Sequence, residues 1–366
     1  GFEMRMRAEA LLRLRRYAEA WRAFDALHLA ACALPAPDDA EVAPFQLRLD
    51  ADCLDDAVRL GANPAEACTA EGWRWLADEL EASSRGDARA RTQLGTLTHT
   101  QRALLLRSGR PFQAPLAIPS AVAEVARVPG ALRADIDWRG LQLEYREKRV
   151  VVIDNLLSAA ALAELQAWAR HGANFRTLRR GFVGAFPADG ATHPLLLTLA
   201  EELEAAAPAI FSPHTLGLWW LFKYDQTNPD GIGIHADPAA VNLNLWLTPD
   251  SAHVEGGGLE VYSRVPPLEQ PVHVANTEFA SREAEDELRA RLRGAGEATV
   301  VDYCCNRAVL FVSDLFHESL PFRFLPGYHN RRVNLTMLFG DRWNPVSPTE
   351  VSDKLVPSED AAWDVF

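Results

Sequence analysis

Two short segments far apart in the chain carry the same strict alternation: Val-Asn-Leu-Asn-Leu-Trp-Leu over Val241 to Leu247, and Arg-Val-Asn-Leu-Thr-Met over Arg332 to Met337. Strand side chains alternate faces with a period of two. Asn242, Asn244 and Trp246 therefore share one face of the first segment, with Val241, Leu243, Leu245 and Leu247 on the other. In the second, Arg332, Asn334 and Thr336 share a face, and Arg331 falls opposite with Val333, Leu335 and Met337. Two strands, each with a polar row and an apolar row, predict a barrel whose polar interior is the functional site.

Just before the first strand stands Gly-Ile-Gly-Ile-His-Ala-Asp-Pro, Gly231 to Pro238. His235 and Asp237, two apart on an extended segment, point the same way and can share one metal. The apolar run from Ala308 ends at His317, as expected of a buried strand that carries its last residue to the barrel mouth. Two imidazoles and a carboxylate on one side of a metal leave its other positions open, a facial triad. Arg332, on the polar face, is the arginine placed in the pocket. A guanidinium there holds a carboxylate bidentately, a contact of roughly 1.5 to 3 kcal/mol.

These residues resemble the Fe(II)/2-oxoglutarate-dependent dioxygenases. His235-x-Asp237, then His317, then Arg332 followed by Val-Asn-Leu-Thr is similar to that family's metal triad and its 2-oxoglutarate arginine. Tyr224, in Phe-Lys-Tyr-Asp, resembles the tyrosine that prolyl-hydroxylase-like members use in the co-substrate pocket. The resemblance covers roughly residues 140 to 343, and more narrowly is similar to bacterial proteins that join tetratricopeptide repeats to such a domain. It implies an α+β protein: an N-terminal all-helical, TPR-like domain, then a double-stranded β-helix (jelly-roll) with support helices. It implies Fe(II), 2-oxoglutarate and O2 as cofactor and co-substrates, with release of succinate and CO2 and hydroxylation of a C-H bond as the default outcome. Asn242 and Asn244 are expected to line the pocket against co-substrate or substrate. Asp237 keeps its carboxylate, which argues against halogenation.

The 366 residues suggest two domains, each with a sizeable core. Residues 1 to 110 read as helices, because Leu and Ala recur at helical spacing and Pro35, Pro37 and Pro64 punctuate them. Leu14 to Leu27 resembles the second half of a tetratricopeptide repeat, so the region is either a peptide- or carrier-binding platform or a cap that packs on the barrel or mediates a homodimer. Residues 111 to 139 are Pro-bearing and read as a linker, the catalytic domain spans 140 to 343, and 344 to 366 form a tail. Within the catalytic domain, Leu143 to Asp154 reads as a strand, Ser158 caps a helix to Arg170, and a second helix spans about 194 to 207. Gly256 to Tyr262 reads as one more strand. Ser281 to Arg293, acidic at its start and basic at its end, reads as an inserted helix, either a lid or a solvated surface helix.

A net charge of -13 argues against a nucleic-acid partner. Five cysteines with no C-x-x-C pair favour a reducing, cytoplasmic setting. No apolar run suits a membrane span. The substrate is a peptide or protein, a small amino-acid-like molecule, or a carrier-bound natural-product intermediate; nothing in the sequence separates these. Three rivals stay open: a non-catalytic binding scaffold on the same fold, a zinc hydrolase, and a metalloenzyme that does not use 2-oxoglutarate. His317-Glu-Ser-Leu-Pro is not H-E-x-x-H, and neither metalloenzyme rival needs Arg332.

Overall fold

The chain is described by a computed structural model over residues 2–32, 38–61, 67–106, 130–179, 181–225, 231–267, 270–277 and 282–342. Helices open it: α1 (Phe2–Arg13), α2 (Tyr17–Cys32), α3 (Pro44–Arg59), α4 (Ala67–Ser83) and α5 (His99–Leu106), with a two-stranded pair β1 (Glu41–Val42) and β2 (Thr92–Gln93). Pro44 sits in the first turn of α3, where its missing N–H leaves nothing unpaired. α3 and α4 bury Leu47, Leu54, Trp73 and Leu76 in a core of their own. α1 and α2 instead join the main core through Leu12, Trp21 and Phe24. Trp21 stacks on Trp219 of the sheet at 4.1 Å between centroids, worth about 0.5 to 1.5 kcal/mol beyond the area it buries.

The second part runs α6 (Trp138–Lys148), β3 (Val150–Ile153), α7 (Ala159–Ala167), β4 (Thr177–Arg179), β5 (Phe182–Ala185), α8 (Pro194–Ala206), α9 (Pro208–Phe211), β6 (Leu216–Tyr224) and β7 (Val241–Trp246). It continues with β8 (His253–Gly256), β9 (Leu259–Tyr262), α10 (Val272–Thr277), α11 (Arg282–Ala295), β10 (Ala298–Val301), β11 (Ala308–Val312), β12 (His317–Ser319), β13 (Phe322–Phe324) and β14 (Val333–Phe339). A seven-stranded sheet has the order β3-β11-β7-β14-β6-β5-β4, and its pairs are antiparallel. Opposite it lie β10-β9-β12 and the antiparallel pair β13-β8.

Period-two alternation decides the two faces of the large sheet. Leu221, Leu243, Leu245, Leu335 and Met337 face the helices. Phe222, Trp246, Val309 and Phe311 face inward and meet Leu259, Val261, Phe322 and Phe324 of the smaller strands. A mixed helix-and-sheet protein with a large antiparallel sheet is thus in place, consistent with the expected jelly-roll. Trp219 packs outward against α2 and Trp220 inward, both as core. Among the described residues no helix is long and apolar enough to cross a membrane, and Cys53, Cys304 and Cys305 are free thiols.

Two expectations are corrected. Leu143 to Lys148 is not strand but the end of α6, which Asp137 caps by accepting from the Gly140 amide at 3.0 Å. Only Val150 to Ile153 carries the β-branched run; the charged residues before it are helix formers with an i,i+4 pair, Lys148–Glu144 at 2.8 Å. Gly256 to Tyr262 is not one strand, because Gly256 (φ 65°) and Gly257 (φ 75°) turn left-handed and hand the chain from β8 to β9. A Cβ on Gly256 would stand 1.9 Å from the Pro321 carbonyl oxygen. The expected helix capped by Ser158 is present, ending at Ala167 before a π turn, Trp168–Gly172. Most of the expected linker (111–129) and the tail (344–366) lie outside the described residues.

Candidate metal centre

His235 and His317 face each other as an isolated antiparallel bridge. Each amide donates to the other's carbonyl, at 2.9 Å from His235 and 2.8 Å from His317. Directly paired residues on neighbouring strands project to the same side, so the two imidazoles stand together, with centroids 4.2 Å apart. Each ring is turned by a backbone carbonyl two residues upstream: Nδ1 of His235 lies 2.8 Å from Gly233 O, and Nδ1 of His317 lies 2.8 Å from Leu315 O. The ring proton therefore sits on Nδ1 and the Nε2 lone pair looks inward, as a metal ligand requires. Burial, helped by neighbouring His317, pushes His235 down to about 4, which keeps its imidazole neutral.

Asp237 completes the group. Its carboxylate lies 3.6 Å from Nε2 of His317 and 4.0 Å from Nε2 of His235, and the three donor atoms lie within 4.8 Å of one another. Its side chain is buried; Oδ2 accepts from Asn242 Nδ2 at 2.6 Å, while Oδ1 has no hydrogen-bond partner. A buried carboxylate oxygen left bare is expensive, and a cation held by both imidazoles would satisfy it. The donor set and the orphaned oxygen fit a divalent metal.

The two asparagines line the interior as the alternation required, but their amides are already engaged. Asn244 donates to Asn242 Oδ1 at 2.9 Å, and Thr336 donates to Asn244 Oδ1 at 3.0 Å. A polar track thus runs from Asp237 across β7 onto β14. At the track's far end stands Arg332, 2% exposed, its Nη2 donating to Gly257 O at 3.0 Å. Its Nε and Nη1 have no partner. The guanidinium lies 4.4 Å over the Tyr224 ring and 5.5 Å from that of Phe322. Arg331 points the other way, pairing with Asp52 of α3 at 3.2 Å and Asp225 at 3.7 Å. Tyr224 ends β6 beneath Arg332, bound through its amide to the Arg332 carbonyl at 3.0 Å.

Sequence reasoning missed Phe322 and Gly257, which frame Arg332. Gly257 lay inside the segment read as one strand from Gly256 to Tyr262, and only the pairing of β8 with β13 brings Phe322 to it. It also missed what α11 touches. Rather than standing free in solvent, α11 buries Leu288 and Leu292 against Ile234, Tyr262 and Phe316 on the outside of the small sheet.

No family model matches the chain, and no curated protein matches it. Among solved structures, an oxidoreductase of the 2OG-Fe(II) oxygenase family from Burkholderia pseudomallei is 13% identical, over 57% of this chain and 92% of its own, with a TM-score of 0.38. A Pseudomonas putida prolyl-4-hydroxylase is 16% identical, over 56% of this chain and 100% of its own, at 0.36. The epimerase SnoN of nogalamycin biosynthesis, in complex with Fe3+ and alpha ketoglutarate, is 15% identical over 61% and 92%, at 0.40.

Proposed function

We propose that the chain is an Fe(II)- and 2-oxoglutarate-dependent oxygenase of the prolyl-hydroxylase-like type. The observation that carries this reading is a pair of orphans inside the barrel: Asp237, whose bare Oδ1 lies 4.0 Å from Nε2 of His235 while its Oδ2 lies 3.6 Å from Nε2 of His317, and the unpartnered Nε and Nη1 of Arg332. One asks for a cation and the other for an anion. An α-keto diacid satisfies both, because it can chelate a metal at one end and present a carboxylate at the other.

Bound by His235, Asp237 and His317, Fe(II) supplies oxidative dioxygen chemistry that no side chain performs, with 2-oxoglutarate as the reductant that leaves as succinate and CO2. The chain's own residues do the rest. Asn242 fixes Oδ2 of Asp237, on the His317 side, and so orients the bare Oδ1 toward His235. Gly233 and Leu315 carbonyls hold both rings in the tautomer that puts the lone pair on Nε2. Arg332 grips the distal carboxylate through its open N–H groups, and Tyr224, stacked beneath, holds the guanidinium plane. Trp246, Phe311 and Phe322 wall the chamber and keep bulk water from the reacting end. The favoured outcome is hydroxylation of a C-H bond in a peptide, an amino-acid-like molecule or a carrier-bound intermediate. The helical segment, read as TPR-like, is proposed as the element that presents such a partner.

A metalloenzyme independent of 2-oxoglutarate, or a binding scaffold, leaves a buried guanidinium with two unpaired donors unexplained. Arg332→Ala tests the reading: the KM for 2-oxoglutarate should rise 10-fold or more, equivalent to about 1.4 kcal/mol or more, with metal affinity unchanged. Equal loss of metal and co-substrate binding would sink the clamp.

A further inference from the structure

We propose that α10 and α11 brace the metal ligands from outside the barrel, with Asn276 and Glu285 as positioning residues for His235 and Asp237. The inference rests on the metal-centre reading above and adds residues from a segment that the sequence presents as an insertion.

The ligand segment Ile234 to Asp237 is extended, and only one of its edges meets another strand. His235 uses that edge for its paired bonds with His317. The amides of Ile234 and Ala236 and the Ala236 carbonyl point to the opposite edge, as alternation along an extended chain requires. Among the described residues no strand lies there. Side chains take its place. Asn276 accepts from the Ala236 amide at 3.0 Å and donates to the Ala236 carbonyl at 2.9 Å, reproducing both bonds that a strand residue would make. Glu285 accepts from the Ile234 amide at 3.0 Å. The residue between the two metal ligands is thus gripped at both of its backbone polar groups.

Glu285 is itself tied to the second histidine. Arg289 donates to Glu285 at 3.0 Å and forks onto Glu318 at 2.9 and 2.7 Å. Glu318, buried, follows His317 directly on β12. The two histidine segments are therefore joined twice, by their own backbone bridge and by the outer chain Ile234–Glu285–Arg289–Glu318. Space agrees with this assignment: a Cβ on Gly233 would lie 2.3 Å from the Glu285 carboxylate, so the glycine leaves the carboxylate room to reach the Ile234 amide. A helix serving merely as a charged surface would pair its acids with its own bases. In α11 an acid is spent on a backbone amide next to a metal ligand.

Ligand orientation supplied from outside the coordinating set typically changes metal affinity 10- to 100-fold. The test is Co(II) titration of the full chain under anaerobic conditions, read as a dissociation constant and as the visible ligand-field band, alongside thermal unfolding of the metal-free proteins. Asn276→Ala and Glu285→Ala should each weaken Co(II) roughly 10- to 100-fold and alter the band, while melting within about 4 °C of wild type. Glu285→Gln, which keeps an oxygen acceptor for the Ile234 amide, should recover most of the affinity. Arg323→Ala, which breaks the exposed pair with Glu255, should leave Co(II) binding unchanged. Wild-type affinity and an unaltered band in both alanine variants would overturn the brace and leave the metal centre standing. A wild-type chain that binds no Co(II) would overturn the metal centre and the brace with it. Weakening that tracks lost melting temperature, with no recovery in Glu285→Gln, would reduce α11 to a packing element and also overturn the proposal.

Discussion

Asn242 is the side chain whose removal most sharply separates a built metal site from a buried polar cluster. Its amide gives Asp237 Oδ2 the hydrogen bond at 2.6 Å, and Asn242 and Asp237 are 0% and 1% exposed. Asn242→Ala deletes that bond and the one Asn244 Nδ2 gives to Asn242 Oδ1, while Asn244 Oδ1 keeps its bond from Thr336. A hydrogen bond to a charged group contributes about 1.5 to 3 kcal/mol. Without it, the carboxylate loses the bond that fixes Oδ2 3.6 Å from Nε2 of His317. A metal must then order that carboxylate as it binds. The loss in metal affinity is of the same size, about 10- to 150-fold at neutral pH, inside the range seen when groups behind a ligand are removed. The metal-free variant should melt lower by about 3 to 12 °C, from the same free energy at 2 to 4 °C per kcal/mol. Calorimetric titration with Fe(II) or Co(II) reads the first quantity and thermal unfolding the second. Wild-type metal affinity in folded Asn242→Ala would refute the reasoning, because Asp237 would then hold its geometry without help.

Three further outcomes are expected. Lys223 is fully buried, donates to Tyr328 Oη at 2.5 Å and to Arg170 O at 3.3 Å, and is pushed by burial from 10.5 to about 8. Its folded pKa lies below its unfolded one, so the folded state holds fewer protons between pH 8 and 10. Wild-type stability should rise with pH in that window relative to Lys223→Met, by up to about 1.4 kcal/mol per pH unit; parallel denaturation curves at pH 8 and 10 would count against it. Trp21→Ala removes the ring stacked on Trp219 and should destabilise the chain by about 3 to 5 kcal/mol, with early protease cleavage in α1 and α2; an unchanged urea midpoint would show that these helices do not share the main core. Arg332→Lys keeps the charge but loses the fork, so the KM for 2-oxoglutarate should still rise severalfold in steady-state assays.

The interior of the large sheet was legible because its information is periodic. At 241–247 and 332–337 a one-residue slip would exchange every polar and apolar side chain, so parity alone placed Asn242, Asn244 and Arg332 inside and Arg331 outside. The triad was legible for a different reason, the order and chemistry of His235, Asp237 and His317. What stayed hidden depends on pairing rather than pattern. Asn276 and Glu285 act on backbone groups of Ile234 and Ala236, and no spacing in the sequence shows which amides lack a strand. Glu285, Arg289 and Arg293 stand four apart, the spacing of a solvated salt-bridged helix, yet Arg289 and Arg293 reach across to Glu318 and Glu260 of the small sheet. The end of α6 was misread because Val150 to Ile153 dominated the segment and the cap at Asp137 lay outside it.

The most direct measurement of the central claim is anaerobic reconstitution with Fe(II) and 2-oxoglutarate, followed in the visible region for the weak metal-to-ligand charge-transfer band and then for succinate on admitting air. The account predicts the band in wild type, its loss in His235→Ala, and slow succinate release without added substrate. Folded, iron-loaded wild type that shows neither band nor succinate would contradict it.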